Sequence, residues 1–296
     1  MKSAYFKYIL SLLIFGTNGI VASYILLSSQ EIVFTRTLIG SLFLIIIYIF
    51  GKQKTQFWKN KKSMFFLSLS GISMGASWMF LFEAYNQIGV SLATLAYYCG
   101  PVIVMLLSPL VFNEKLSGIK ILGFSSVVLG MILVNGSDIL TGEISWGLVC
   151  GILSALLYAT MVIFNKKATG ITGLENTIGQ LVIAFLTVTV YLMLRGSLSI
   201  SISRESIIPI IILGFVNTGL ACYFYFSSIQ KLPVQSVSIC GYLDPLSALI
   251  FSALFLKEHL SPVQIAGAVL ILGGAAFGEL YGQRRIRLKR RICPEK

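Results

Sequence analysis

Charge is what this sequence has least of: Asp, Glu, Lys and Arg make up 11% of its 296 residues. A soluble globular domain carries about 25%, so the chain lacks the polar surface to face water on all sides. Histidine occurs once, as His259 at an expected outer loop, which argues against a paired His/Asp cluster or a Ser-His-Asp set within the spans. No Gly-Lys-Ser/Thr phosphate loop is present, which argues against ATP-driven pumping within this chain. The five cysteines show no CxxC or other metal-ligand spacing, and four fall inside apolar stretches, where they read as small packing residues. Neither a metal nor a cofactor is expected. Alternating polarity over about ten residues, the mark of a membrane barrel strand, is missing too.

What is abundant is apolar residue, at 56%. A bilayer core of about 30 Å needs roughly 20 apolar residues per helix. Ten such stretches are predicted: 8–27, 32–50, 63–85, 91–112, 117–134, 145–164, 176–195, 206–229, 235–256 and 262–281. The fold class expected is all-α integral membrane. The first stretch follows two lysines, but at about 20 residues it reads as an uncleaved helix rather than a signal peptide. The net charge of +12 is a matter of placement, not of nucleic-acid binding. With a cytoplasmic N-terminus and alternating spans, nineteen of the twenty-three basic residues fall on the cytoplasmic side, and the loop Asn135–Ser145 outside is acidic. The positive-inside rule therefore predicts a multi-pass protein of the cytoplasmic membrane with both termini inside. The basic tail, Arg284 to Lys296, suits anionic headgroups.

The chain repeats itself at a spacing of 144. Tyr98 meets Tyr242, Pro101 meets Pro245, Glu114 meets Glu258 and Gly130 meets Gly274, in one ungapped register with Gly75 and Gly219 upstream. Each unit holds five spans, an odd number, so the second copy enters the membrane from the opposite side. Such inverted repeats mark many alternating-access transporters. The predicted organisation is a first repeat at 1–137, an inverted second repeat at 138–283, and a tail at 284–296.

Within the repeat, Ser91, Thr94, Tyr98 and Pro101 share one helical face, matched by Gln235, Ser238, Tyr242 and Pro245. A polar stripe facing lipid is costly, so these stripes either line a cavity or bond helix to helix. Each proline frees a carbonyl four residues earlier, those of Tyr97 and Gly241. That carbonyl either binds a ligand or cation or permits a gating kink. Asp244 sits near mid-span, where a carboxylate costs about 2.5–3.5 kcal/mol and defaults to a functional role. It can bind a cationic group, take up a proton, or pair with a hydroxyl. Its equivalent in the first half is Gly100, so the charge is asymmetric. Glu83 is a second proton candidate, or a simple partner for Arg36, which is read as structural. Glu114 and Glu258 are expected at membrane-edge turns, where a carboxylate favours the start of the following helix. Gly274 and Gly278 form a small-xxx-small motif that serves either bundle packing or a dimer.

The pattern Tyr98-Cys99-Gly100-Pro101 with Asn113-Glu114-Lys115-Leu116, repeated as Tyr242-Leu243-Asp244-Pro245 with Lys257-Glu258-His259-Leu260, resembles the EamA-type members of the drug/metabolite transporter superfamily. Arg36 and Phe15-Gly16-Thr17-Asn18 extend the resemblance, although Phe15 stands where many relatives carry Trp. The resemblance implies ten helices in two inverted halves of five. Spans 1, 3, 4, 6, 8 and 9 would surround a central cavity, and spans 5 and 10 would act as scaffold. It adds Asn18, Trp78, Tyr97, Tyr158, Asn217, Tyr223 and Tyr225 as cavity candidates beside Thr94, Tyr98, Ser238, Tyr242 and Asp244. The expected function is secondary transport of an amino acid or similar small solute by alternating access. A passive channel and an integral membrane enzyme are the alternatives. The partners expected are a small-molecule substrate, the bilayer, and a proton or counter-substrate, with no nucleic acid, in a monomer or homodimer.

Overall fold

The structure, a computed structural model, describes residues 2–51, 60–114, 117–135, 146–196, 202–255, 261–263, 265–274 and 277. Among the described residues every regular element is helical. The first pass is α1 (Lys2–Phe15) and α2 (Asn18–Ser23), broken at Gly16 and Thr17. The chain is tightly packed at the break: a side chain on Gly16 would strike Ser247 and come within 2.8 Å of the Ala248 backbone nitrogen. Ser28 and Glu31 form a capping box that starts α3 (Ser29–Phe50).

The helix α4 (Lys61–Tyr97) runs 37 residues, about 55 Å if straight. It is not straight. A Cβ on Gly151 would lie 2.7 Å from the Ala96 Cβ and 4.0 Å from that of Ala84. In one rigid helix those alanines stand about 18 Å apart, so the chain reverses between them. The apolar crossing is Lys61–Ile88, and the rest of α4 begins the fourth pass. That pass continues in α5 (Cys99–Phe112), followed by α6 (Gly118–Asn135).

The second half opens with α7 (Trp146–Lys167) and α8 (Gly173–Arg195). The eighth pass holds α9 (Ile207–Ile212), a π-helical segment (Leu213–Leu220) and α10 (Ala221–Ile229). Pro209 sits in the first turn of α9, where its missing N–H costs nothing. The ninth pass is α11 (Val234–Gly241) and α12 (Leu243–Phe255), and the tenth is α13 (Ile265–Gly274).

The packing has the two-fold logic expected of inverted repeats. The helix α7 lies against α4 and α5, while α1 lies against α10 and α12. Ser77 and Ser154 each donate to the other's backbone carbonyl, at 2.9 and 2.7 Å, tying α4 to α7. The helices α6 and α13 cross through paired glycines: a Cβ on Gly130 would sit 2.6 Å from the Gly267 carbonyl, and one on Gly274 would sit 2.6 Å from that of Gly123. Gly274 thus packs within the bundle, whereas Gly278 lies outside the described residues. The tail 284–296, the repeat boundary at 137/138, the loop 136–145 and Glu258 also lie outside them.

The turns sort by charge. Ser3, Lys7, Ser63, Lys166, Gly170 and Lys231 gather at one end, joined by a common cavity and by hydrogen bonds such as Gly170 N–H to Ser63 Oγ at 2.9 Å. Ser29, Asn86 and Ser206 gather at the other, with Leu26 N–H donating to Ser206 Oγ.

Candidate functional site

The fourth and ninth passes both break at the repeat-related tyrosines. Tyr98 precedes α5 and Tyr242 precedes α12, with Pro101 and Pro245 in the third position of the helix that follows. A first-turn N–H has no helical acceptor, so proline is tolerated there. The expected proline kink is therefore a helix interruption. The two breaks face each other. Their rings lie 6.2 Å apart, and the Tyr242 hydroxyl donates to the Tyr98 carbonyl at 2.8 Å, across 144 residues. The Tyr98 hydroxyl is a close electrostatic neighbour of the Asp244 carboxylate. A hydroxyl from one half therefore stands beside a carboxylate of the other.

Around Asp244 stands a ring of tyrosines. Tyr97 meets Tyr98 and Tyr158 edge-on at 5.4 Å each. The Tyr158 and Tyr225 hydroxyls share a 3.0 Å hydrogen bond, and Tyr8 lies 5.5 Å from Tyr225 with its own hydroxyl on the Val237 carbonyl. Tyr8, Tyr225 and Tyr242 are buried, whereas Tyr97, Tyr98, Tyr158 and Asp244 are only partly covered by protein. An apolar wall with a few polar handles is the make-up of a small-molecule site.

Arg36, on α3, is also buried. Its Nε donates to Thr218 Oγ1 at 2.9 Å, one Nη reaches Asn18 Oδ1 at 3.5 Å, and its guanidinium lies 4.5 Å over the Trp78 ring. Arg36 and Asp244 are within electrostatic range without forming an ion pair.

A second set of polar contacts braces the basic end. Glu114 accepts from the Val234 and Gln235 N–H groups at 2.9 and 3.3 Å. It thus caps α11, a helix of the other half, and not the α6 that follows it in sequence. Lys166 donates to the Ile229 carbonyl at 2.7 Å and to that of Leu232. The turn between α10 and α11 is held by an ammonium on its carbonyl side and a carboxylate on its N–H side, as helix ends prefer.

The EamA-like transporter family model matches residues 2–136 and again 145–278, one copy for each half. The chain belongs to the EamA-like transporter family. It is therefore a membrane transporter and not an enzyme. An uncharacterized transporter of Bacillus subtilis (strain 168) is 28% identical over 93% of this chain and 89% of its own length. A "probable amino-acid metabolite efflux pump" of Escherichia coli (strain K12) is 28% identical over 71% of this chain and 74% of its own. A solved protein structure, 16% identical, superposes with a TM-score of 0.80 over 94% of this chain and 99% of that one, which shows the fold alone.

In this EamA-like chain the sequence-predicted residues separate into groups. Tyr97, Tyr98, Tyr158, Tyr242 and Asp244 come together at the crossing of the broken helices. Asn18 and Trp78 converge on Arg36. Asn217 spends its amide donors on the α1 break, bonding the Ile14 carbonyl at 3.0 Å and Thr17 Oγ1 at 2.8 Å. Ser238 turns its hydroxyl back onto the Val234 carbonyl, and Tyr223 lies under Lys7, 5.5 Å away, toward the basic end. The Thr94 side chain lies outside the described residues. The expected pairing of Glu83 with Arg36 does not form: Glu83 accepts from Gln87 at 3.1 Å, at the opposite end. Sequence reasoning missed Tyr8 and Thr218. Tyr8 stands one residue after Lys7, in what reads as the basic flank of the first span, and Thr218 reads as one more small residue in an apolar run.

Proposed function

We propose that this transporter moves a small organic solute, an amino acid or a compound of like size, across the cytoplasmic membrane by alternating access between its two halves. One observation carries the reading: Asp244, a mid-span carboxylate at a helix break, stands beside Tyr98 of the opposite half and is only partly covered by protein. Broken helices meeting at mid-membrane are where transporters of inverted-repeat design bind their cargo. A carboxylate there takes either the cationic group of a solute or a proton, so coupling to a proton or a counter-substrate runs through Asp244. Glu83, near the opposite end, is the lesser proton candidate. The Escherichia coli relative described as an amino-acid metabolite efflux pump supports the solute class. The basic end, with Lys7, Lys166 and Lys231, faces the cytoplasm by the positive-inside rule, which puts both termini inside.

The test is exchange in proteoliposomes preloaded with an unlabelled mixture of L-amino acids. Saturable uptake of a labelled member, dependent on the internal load, is the expected result. Flux that never saturates and ignores the internal load would identify a channel and overturn the proposal.

A further inference from the structure

We infer that Arg36 is a carboxylate-binding site, so that the cargo carries a carboxylate as well as the amino group suited to Asp244. This deepens the proposed function and rests on its reading of Asp244. A guanidinium has five N–H donors in a planar fork that matches a carboxylate. Arg36 commits one to Thr218 Oγ1 and one, at 3.5 Å, to Asn18 Oδ1. The remaining donors have no acceptor among the described residues, and no carboxylate touches the group. A buried cation without a contacting anion is costly, and proteins keep one where a ligand supplies the charge. Among the described residues the fully enclosed side-chain N or O atoms lacking a partner are Ser41 Oγ and Tyr48 OH, so the second Nη of Arg36, which has no acceptor, is not fully enclosed.

The fork is aimed, and the device that aims it is the π-helical segment Leu213–Leu220. Thr218 Oγ1 donates to the Leu213 carbonyl five residues back, at 2.8 Å, which leaves its lone pairs for Arg36 Nε. Short π segments are frequent at functional sites because they re-aim side chains. Gly40 allows α3 to press against this segment: a Cβ there would lie 2.8 Å from Thr218 Cγ2. Trp78 fixes the plane of the guanidinium from the other face.

Symmetry supports the assignment. The same 144-residue spacing that joins Tyr242 to Tyr98 relates Arg36 to Gln180 and Thr218 to Met74, and Gln180 Nε2 does approach Met74 Sδ at 3.9 Å. The architecture of the contact is kept in both halves, but the charge is present in one. Asp244 likewise has Gly100 as its counterpart. Arg36 and Asp244, of opposite sign, both lack a charged counterpart in the other half, and both have Tyr97 as an electrostatic neighbour. Cargo with two unlike charged ends breaks symmetry in the same way.

The experiment is a thermal-shift titration of the purified full chain with the twenty L-amino acids, followed, for each that stabilises, by its C-terminal amide and its decarboxylated amine. The parent protein should bind the acid at least tenfold more tightly than the amide or amine. Arg36→Met should abolish that preference while still binding the amine. Thr218→Val, which keeps the shape but loses the acceptor, should weaken acid binding about tenfold and leave amine binding unchanged, and Thr218→Ser should restore it. Equal affinity of the parent for acid and amine would overturn the Arg36 assignment and leave Asp244 standing. No stabilisation by acid, amide or amine would overturn both.

Discussion

Gly100 and Asp244 hold equivalent positions, yet a carboxylate fits at only one of them. A Cβ on Gly100 would lie 2.7 Å from Tyr158 Cδ1 and 3.1 Å from the Ala155 carbonyl, because α5 rests directly on α7 there. Gly100→Ala should therefore destabilise the protein by about 1–3 kcal/mol, the usual cost of overpacking, read as a lowered melting midpoint in detergent. An unchanged midpoint would mean that α5 and α7 do not touch at this depth. Tyr98 answers Asp244 from the opposite half. Tyr98→Phe removes the hydroxyl beside that carboxylate, a change worth about tenfold in an equilibrium where the two groups share a solute, and should lower solute affinity by that order without unfolding the chain. Affinity equal to that of the parent would show the hydroxyl to be a bystander. The asymmetry of Asp244 was legible from the register of the repeat alone, since Gly100 and Asp244 align within otherwise matched motifs. The role of Tyr8 was not legible. Its hydroxyl bonds the Val237 carbonyl, a partner on a distant helix, and nothing local to α1 points to it.

Among the helices, the prolines announced the breaks in the fourth and ninth passes but not their consequence. Pro101 and Pro245 end up in first turns, and it is the Tyr98 carbonyl that gains a new donor across the interface. The π-helical segment had no sequence signal. Such geometry depends on what α3 presents to it, namely Gly40 against Thr218 and Ile39 against Gly214. Glu114 shows the same limit of local reasoning. A carboxylate at a turn predicts a helix start, and the helix it serves lies 120 residues away. Glu114→Ala should cost about 1 kcal/mol, the typical worth of an N-terminal cap, and Glu114→Gln should cost less because its amide oxygen still accepts. Equal melting midpoints for the alanine variant and the parent would remove the cap from the account.

Over the whole molecule, the 144-residue register was the strongest signal in the sequence, and the structure returns it as physical contact. Ser126 donates to the Leu270 carbonyl, and Tyr242 to that of Tyr98, each across that spacing. The two related halves followed from it and the ten passes from the apolar runs, while the close crossing of α6 with α13 through Gly130 and Gly274 came only with the structure. Sidedness rests on charge and has its own check. Tyr24 and Lys231 lie exposed at opposite ends of the bundle. In intact cells a membrane-impermeant maleimide should label Tyr24→Cys and spare Lys231→Cys, and the reverse pattern would invert the topology. The central claim is that the cargo meets the protein at Asp244, and solute exchange by Asp244→Asn in proteoliposomes tests it most directly. The account predicts a folded, monodisperse variant whose exchange falls at least tenfold. Exchange at the rate of the parent, with the same dependence on pH, would contradict it.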